Sequence, residues 1–299
     1  MQEHVTILGC GYVGTALARF WQQRGTLEVT VTTTTPDRVK DLEPIADRVV
    51  VLDTQDLDGL RELVASTSTL VVSVASKRVQ PYDVTYLGTA RNLAQVLAEL
   101  DQAAASYAVN PSGVVSAANL ATSAGIKQVI YTSSCGVYGD WGGDWVSESV
   151  EVNPEGENQQ ILAQAETVIL GTATATRKAC VLRLGGIYGP DREISRIYQS
   201  AAGTTRPGDG LHPTNWIHRD DIVSAIDLAR SNRLSGIFNV VDDDWMSNRE
   251  LLDRVCALYD WEPVTWDASR SGRRSYNAKV SNQKIKAAGL SLRHPKRKL

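Results

Sequence analysis

Val5-Thr6-Ile7-Leu8-Gly9-Cys10-Gly11-Tyr12-Val13-Gly14 decides the fold. Its first four residues are apolar or β-branched and read as a short strand. Glycines at 9, 11 and 14 follow, and Thr15-Ala16-Leu17-Ala18-Arg19-Phe20-Trp21 then places apolar residues at helical spacing. A G-x-G-x-x-G turn between strand and helix is the context in which that motif binds a dinucleotide. Gly9 makes the tight turn, Gly11 lets the backbone approach a pyrophosphate, and Gly14 lets the helix pack close to the strand. The helix N-terminus presents amides and positive dipole to the phosphates, with Cys10, Tyr12 and Val13 completing the loop.

The same alternation continues outward. Residues 28–31 are rich in β-branched side chains, and 48–52 and 69–74 are continuous apolar runs, as expected of strands buried on both faces of a parallel sheet. The pattern returns at 128–132 and 179–184, and helical stretches are predicted at 86–100, 114–124 and 158–171. Alternating strands and helices imply an α/β fold, a doubly wound parallel sheet. Beyond about 185 glycine, proline and polar turns multiply, with one further strand at 236–241. The predicted organisation is a dinucleotide-binding domain over 1–185 plus that strand, with a smaller, discontinuous α/β lobe on the substrate side from 186–299. The biased stretch 98–118 is read as a mobile surface excursion, with Tyr107 reaching an active site as the alternative.

With 299 residues, 42% hydrophobic, the chain can fill one large core or two packed domains. A net charge of −3 gives no basic surplus for nucleic acid. The basic cluster Arg293, His294, Lys296, Arg297 and Lys298 is read as a solvated terminus. No run approaches the ~18 apolar residues that span a bilayer. Met1-Gln2-Glu3-His4 carries no basic segment before the first strand, so no secretory leader is expected. Cys10, Cys135, Cys180 and Cys256 are too scattered for a zinc site or disulfide framework. Together these point to a cytoplasmic protein with a small-molecule substrate.

An NAD site places Asp or Glu about 20 residues past the motif to hold the ribose 2′-hydroxyl. Thr32-Thr33-Thr34-Thr35 stands there instead, and Arg38 follows. No acid repels a 2′-phosphate, threonine hydroxyls can donate to it, and Arg38 can pair with it, which favours NADP over NAD. The alternative places Arg38 as an exposed residue of the next helix.

Further blocks extend the pattern. Asp53 and Thr54 follow the third strand, and Ala75 and Ser76 follow the fourth. Tyr86-Leu-Gly-Thr-Ala-Arg-Asn-Leu93, Tyr131-Thr-Ser-Ser-Cys-Gly-Val-Tyr-Gly139, Arg183-Leu-Gly-Gly-Ile-Tyr-Gly-Pro190 and Asn215-Trp-Ile-His-Arg-Asp-Asp-Ile222 come in order. In this order the blocks resemble the short-chain dehydrogenase/reductase superfamily, in its extended branch of NAD(P)-dependent epimerases and dehydratases. The resemblance implies a Rossmann-type fold. It implies that Asp53 holds the adenine amino group, that Ala75 and Ser76 lie over the cofactor, and that the 86–100 helix is a homodimer interface.

One departure matters more than the matches. The family's chemistry uses a Tyr and a Lys four residues on, which share a helix face. Aligned on Ala165-Glu166, those places hold Asn158 and Leu162, and none of the ten tyrosines has Lys four residues later. Ser134 matches the family's catalytic Ser/Thr; the alternative is a strand-end hydroxyl bonded to local backbone. Ser134-Cys135-Gly136 also replaces the dehydratases' Thr-Asp-Glu, which disfavours dehydration. The pattern resembles atypical superfamily members that keep the glycine motif without the Tyr/Lys pair. It implies an NADP-dependent oxidoreductase or epimerase-like enzyme acting on a small carbonyl or hydroxyl compound, with Ser134 and Asn158 as the candidate catalytic positions. The alternative is a catalytically silent dinucleotide-binding or redox-sensing protein.

Weaker candidates remain. Tyr188 and Arg192 have the right spacing, but Pro190 breaks the helix that would align them. Tyr138 reads as a packed tyrosine, His218 as a structural hydrogen-bonder, and Trp141 and Trp145 as part of a surface loop. Histidines 4, 212, 218 and 294 show no metal-ligand spacing.

Overall fold

The computed structural model describes residues 2–76, 80–109, 125–270 and 276–299, with only the backbone described for 107–109. The helix expected at 114–124 and the Tyr107 side chain lie outside the described residues.

Seven strands form the main sheet: β1 (Glu3–Leu8), β2 (Leu27–Thr33), β3 (Arg48–Val51), β4 (Thr69–Val72), β5 (Gln128–Ser134), β6 (Lys178–Leu184) and β7 (Gly236–Val240). Their order is β7-β6-β5-β4-β1-β2-β3, a doubly wound α/β arrangement of the Rossmann type. β1 runs parallel to β2, from Glu3↔Leu27 to Ile7↔Val31, and to β4, from Val5↔Thr69 to Leu8↔Val72. β2 and β3 are also parallel, as are β4 and β5. All four β4 residues are buried, which explains why it reads as an unbroken apolar run. The strand order reverses between β1 and β4, and in such sheets ligands bind outside the carboxyl ends of the strands at that point.

The chain divides into two compact units. Unit 1 comprises Met1–Thr132, Gln164–Val181 and Ile226–Gly236; unit 2 comprises Ser133–Ala163, Leu182–Ala225 and Ile237–Leu299. The expected domain of 1–185 plus the strand 236–241 differs from this division: 133–163, 182–185 and 237–241 fall in the second unit, and 226–235 in the first.

In unit 1 the helix Tyr12–Arg24 buries Val13, Gly14, Leu17, Ala18 and Trp21, one stripe at helical spacing. Gly25 ends it in the left-handed conformation, its N–H donating to Gln22. Asp227 ties this helix down, accepting from Trp21 Nε1 at 2.9 Å, Arg24 at 2.8 Å and Arg230 at 3.0 Å. The helix Thr89–Val109 continues through 98–109, so that part of the expected surface excursion is regular helix.

Unit 2 is built from short strand pairs. Gly186–Tyr188 runs parallel to Trp216–His218, Thr205–Pro207 to Thr265–Asp267, and Asp140–Val146 to Asn277–Val280. Trp141 and Trp145 thus sit on a strand, not in the expected loop; Trp141 packs against a core of Cys135, Tyr138, Val146, Val241, Ala278 and Val280.

The basic tail is not a solvated terminus. Asp221 accepts from the backbone N–H of Arg293 at 2.7 Å and of His294 at 3.0 Å. The Arg297 side chain is fully buried against Asp242, with Nε 3.0 Å from Oδ2, and donates to the Thr214 hydroxyl at 2.8 Å and carbonyl at 2.9 Å. A buried guanidinium needs this full set of acceptors, and the fold supplies them. All four cysteines are buried, and none is in a disulfide. Among the described residues, no helix is long and apolar enough to cross a membrane.

Candidate functional site

The glycine loop joins β1 to the first helix, and its geometry is dictated from three sides. Gly9 has φ +93°, and a Cβ there would lie 2.8 Å from the Ser73 carbonyl oxygen and 2.9 Å from Val74 Cα. Only glycine fits both the conformation and the space. A Cβ on Gly14 would meet the Gly9 carbonyl oxygen at 2.8 Å and Ile7 Cγ2 at 3.1 Å, so helix and strand touch there. Gly11 differs: a Cβ on it meets nothing within 4 Å. Gly11 is also the helix N-cap, no side chain caps it, and the first turn carries no acid. An open face on an uncapped helix N-terminus suits a phosphate in shape and in field. The residues fit a dinucleotide, whose diphosphate Gly9 to Gly14 would hold.

The end of β2 shapes this loop. Gly9 N–H donates to Thr32 Oγ1 at 2.9 Å, and Cys10 N–H donates to the Thr32 carbonyl at 2.9 Å. Thr32 is 2% exposed, so it is a positioning residue and not the phosphate donor expected from the sequence. Thr33 is also buried, and its hydroxyl closes a turn by accepting from Thr35 N–H at 3.1 Å. Arg38, in the turn Pro36–Arg38, reaches back to the loop: Nη1 donates to the Cys10 carbonyl at 2.7 Å and Nη2 lies 3.5 Å from Thr15 Oγ1. The guanidinium is thus held beside the motif rather than projecting from the next helix. Burial pushes the Cys10 thiol up, with Thr15 and Arg38 opposing, so Cys10 stays a protonated packing residue.

The other cofactor-side residues divide similarly. Asp53 is exposed, with its carboxylate accepting from Gln55 N–H at 3.0 Å. Thr54 is buried; its hydroxyl bonds Thr89 at 2.7 Å and its carbonyl accepts from Asn92 at 2.9 Å, which anchors the long helix. Ala75 and Ser76 are exposed just beyond β4. Ser76 N–H donates to Tyr86 Oη at 3.3 Å, a partner the sequence reading missed. Tyr86 sits in a π-helical turn, Val84–Gly88, which has no simple periodic signature.

In unit 2, Ser134 Oγ accepts from Gly136 N–H at 3.1 Å and caps the turn Cys135–Tyr138. That bond uses a lone pair and not the hydroxyl proton. Asn158 is exposed on the first turn of the helix Glu157–Leu170, and Leu162 is buried. A Cβ on Gly136 would lie 3.3 Å from Ser134 Oγ and 3.6 Å from Gln159 Cγ. The helix residue facing the Ser134 turn is therefore Gln159, one position from the expected Asn158. Tyr138 is wholly buried, donates to Asn239 Oδ1 at 2.8 Å, and is pushed up to about 12 by burial. Such a phenol packs and does not titrate near neutrality.

Two of the four histidines meet where the sequence showed no ligand spacing. His218 and His294 rings lie 3.6 Å apart, and with Asp220 they bring ligand atoms within 4.8 Å of one another. The His218 Nδ1 lone pair accepts from Asp220 N–H at 3.1 Å, as a structural histidine does. Tyr188 packs edge-on against that ring at 5.1 Å.

Comparison with known proteins agrees with this geometry. The model of the NAD dependent epimerase/dehydratase family matches residues 5–240. Protein YeeZ of Escherichia coli K12 is 30% identical over 270 residues, covering 87% of this chain and 85% of its own. Two solved structures share the fold: MoeE5 in complex with UDP-glucose and NAD, and UDP-glucuronic acid 4-epimerase from Bacillus cereus in complex with UDP-glucuronic acid and NAD. The first has a TM-score of 0.74 at 20% identity over 97% of this chain and 93% of its own. The second has a TM-score of 0.72 at 16% identity over 97% and 94%. A glycine loop that admits no other residue at its turn, on a sheet whose order reverses beside it, and a family match over most of the length lead to one assignment: this chain belongs to the NAD dependent epimerase/dehydratase family.

Proposed function

We propose that this protein is an NADP-preferring oxidoreductase or epimerase-like enzyme of that family, acting on a small carbonyl or hydroxyl compound of sugar-like size. The observation that carries the cofactor preference is Arg38, whose guanidinium is held 2.7 Å from the Cys10 carbonyl while no carboxylate ends β2. A fixed cation at that edge attracts a 2′-phosphate and has no counterpart for a bare 2′-hydroxyl. When bound, the dinucleotide supplies the hydride chemistry. The chain's part is to hold the diphosphate on the Gly9–Gly14 amides, brace the loop through Thr32, and keep Arg38 at the adenosine end. Ser134 keeps a hydroxyl proton for a substrate oxygen while its lone pair caps the turn. A thermal-shift comparison of NAD(H) with NADP(H) tests this, because bound ligand stabilises by RT ln(1 + [L]/Kd). NADP(H) is expected to give the larger shift, and Arg38→Gln is expected to equalise the two. Equal shifts in the wild type refute the preference.

A second reading has one observation in its favour. None of the ten tyrosines has Lys four residues on, and Asn158 and Leu162, the residues aligned with that pair from Ala165-Glu166, exchange no protons. On that reading the protein binds the dinucleotide as a sensor, and tight binding without turnover of any carbonyl would support it.

A further inference from the structure

We propose that Tyr86, backed by Tyr82, is the proton donor that replaces the missing Tyr/Lys pair; this rests on the dinucleotide reading above. The placement is continuous within unit 1. The glycine loop presses on Ser73 and Val74, where a Gly9 Cβ would meet Ser73 O at 2.8 Å. Three residues past Ser73, Ser76 N–H donates to Tyr86 Oη at 3.3 Å. The phenol thus stands beyond the carboxyl end of β4, beside the point where the strand order reverses. It is half-buried and so remains reachable.

The neighbours arm it. Tyr82 and Tyr86 have ring centroids 4.4 Å apart, which sets the two phenols side by side. When Tyr82 donates, Tyr86 Oη accepts twice, from Tyr82 and from Ser76. Its own proton is then the one directed outward. The same two donors hold the oxyanion left after transfer, which is the work a lysine does elsewhere. Tyr131 adds an independent sign: its hydroxyl is buried without a partner among the described residues, within electrostatic range of Tyr82, Tyr86 and Glu166. An orphaned buried phenol at this place marks a site whose polar complement is incomplete. The π turn Val84–Gly88 that carries Tyr86 is a form found often at functional sites. Burial pushes the Tyr82 phenol above its usual range, so Tyr82 keeps a proton with which to donate toward Tyr86.

In the reduction step the substrate carbonyl carbon gains a C–H bond from the reduced dinucleotide, which is oxidised. The carbonyl π pair moves to oxygen, and oxygen takes the Tyr86 proton. The Tyr86 oxyanion regains a proton through Tyr82, which regains its own from solvent. The product is the alcohol.

The test uses the full chain and needs no natural substrate. Tetranitromethane nitration with peptide mass mapping is run on the free protein, with NADPH, and with 2′-phospho-ADP-ribose, which lacks nicotinamide. Tyr86 is expected to be nitrated in the free protein, protected by NADPH, and left reactive by 2′-phospho-ADP-ribose. In parallel, NADPH-dependent reduction of pyridine-4-carboxaldehyde is expected to fall about 10²–10⁴-fold in Tyr86→Phe, with the NADPH Kd unchanged. Tyr82→Phe is expected to fall less and to change the pH profile of kcat. The proposal is overturned if bound NADPH leaves Tyr86 nitration unaltered, if Tyr86→Phe turns over like the wild type, or if the wild type binds NADPH and reduces nothing. Should Tyr86→Phe not fold, the wild-type nitration pattern decides. Absence of NADPH binding itself would instead sink the dinucleotide reading.

Discussion

Two alanine substitutions two residues apart should behave in opposite ways. At Gly9 the backbone has φ +93°, and the new Cβ would stand 2.8 Å from a backbone oxygen. The conformation costs about 1–2 kcal/mol for an L-residue, and forcing an atom into a packed place costs about 1–3 more. Gly9→Ala should therefore lose about 2–5 kcal/mol. A chain of 299 residues, at about 2.1 cal/mol/K each, has an unfolding entropy near 0.6 kcal/mol/K, so Tm falls about 3–8 °C. At Gly11 the Cβ meets nothing within 4 Å and φ is −88°. Gly11→Ala should leave stability within about 1 kcal/mol of the wild type, with the unfolded-state entropy on its side. Its Cβ instead occupies the space a diphosphate needs. At a ligand concentration 100 times Kd the wild type gains about 2.7 kcal/mol, or roughly 4 °C. A hundredfold weaker Kd cuts this to about 0.4 kcal/mol, under 1 °C. Differential scanning fluorimetry with and without NADP(H) reads both effects. Retention of the full ligand shift in Gly11→Ala, or a loss of stability there equal to that of Gly9→Ala, would refute the assignment of the open face.

Other consequences follow from single contacts. Arg297→Met strands Asp242 in the interior and should cost about 3–5 kcal/mol; melting measured against Arg297→Lys, which keeps the charge, gives the number. Asp227→Ala removes the acceptor shared by Trp21, Arg24 and Arg230; it should cost about 2–4 kcal/mol in urea unfolding without changing dinucleotide specificity. Tyr138→Phe deletes one buried bond to Asn239 and should cost about 1–2 kcal/mol, with unaltered NADPH affinity by fluorescence titration. His218 is held below the usual imidazole range by burial first and by His294 second. The unfolded chain therefore binds the proton more readily, and stability must fall as pH drops through about 6.5. Melting curves from pH 8 to 5 should show that loss, and His218→Phe should flatten it.

The parallel sheet was legible because each buried strand announces itself locally. Such runs need no knowledge of their neighbours: Leu70, Val71 and Val72 are apolar because both faces of β4 are covered. The glycine motif was legible for the same reason, since its three glycines answer to a turn, a ligand and a packing contact within ten residues. What escaped reading depends on partners far away in sequence. Arg297 looks like part of a solvated charge run until Asp242 and Thr214, 55 and 83 positions back, enclose it. Thr32 shows a hydroxyl in sequence but not its direction, which is toward the Gly9 amide. Tyr86 was visible as the start of a helical block, yet its bond to Ser76 arises from a π turn that interrupts the helical period.

The docked tail bears on how the protein is handled and degraded. Residues 293–299 are pinned by a guanidinium with no exposure at all. Tryptic cleavage after Arg297 should proceed in the native state only as fast as unit 2 opens, so its rate becomes a clock for local unfolding.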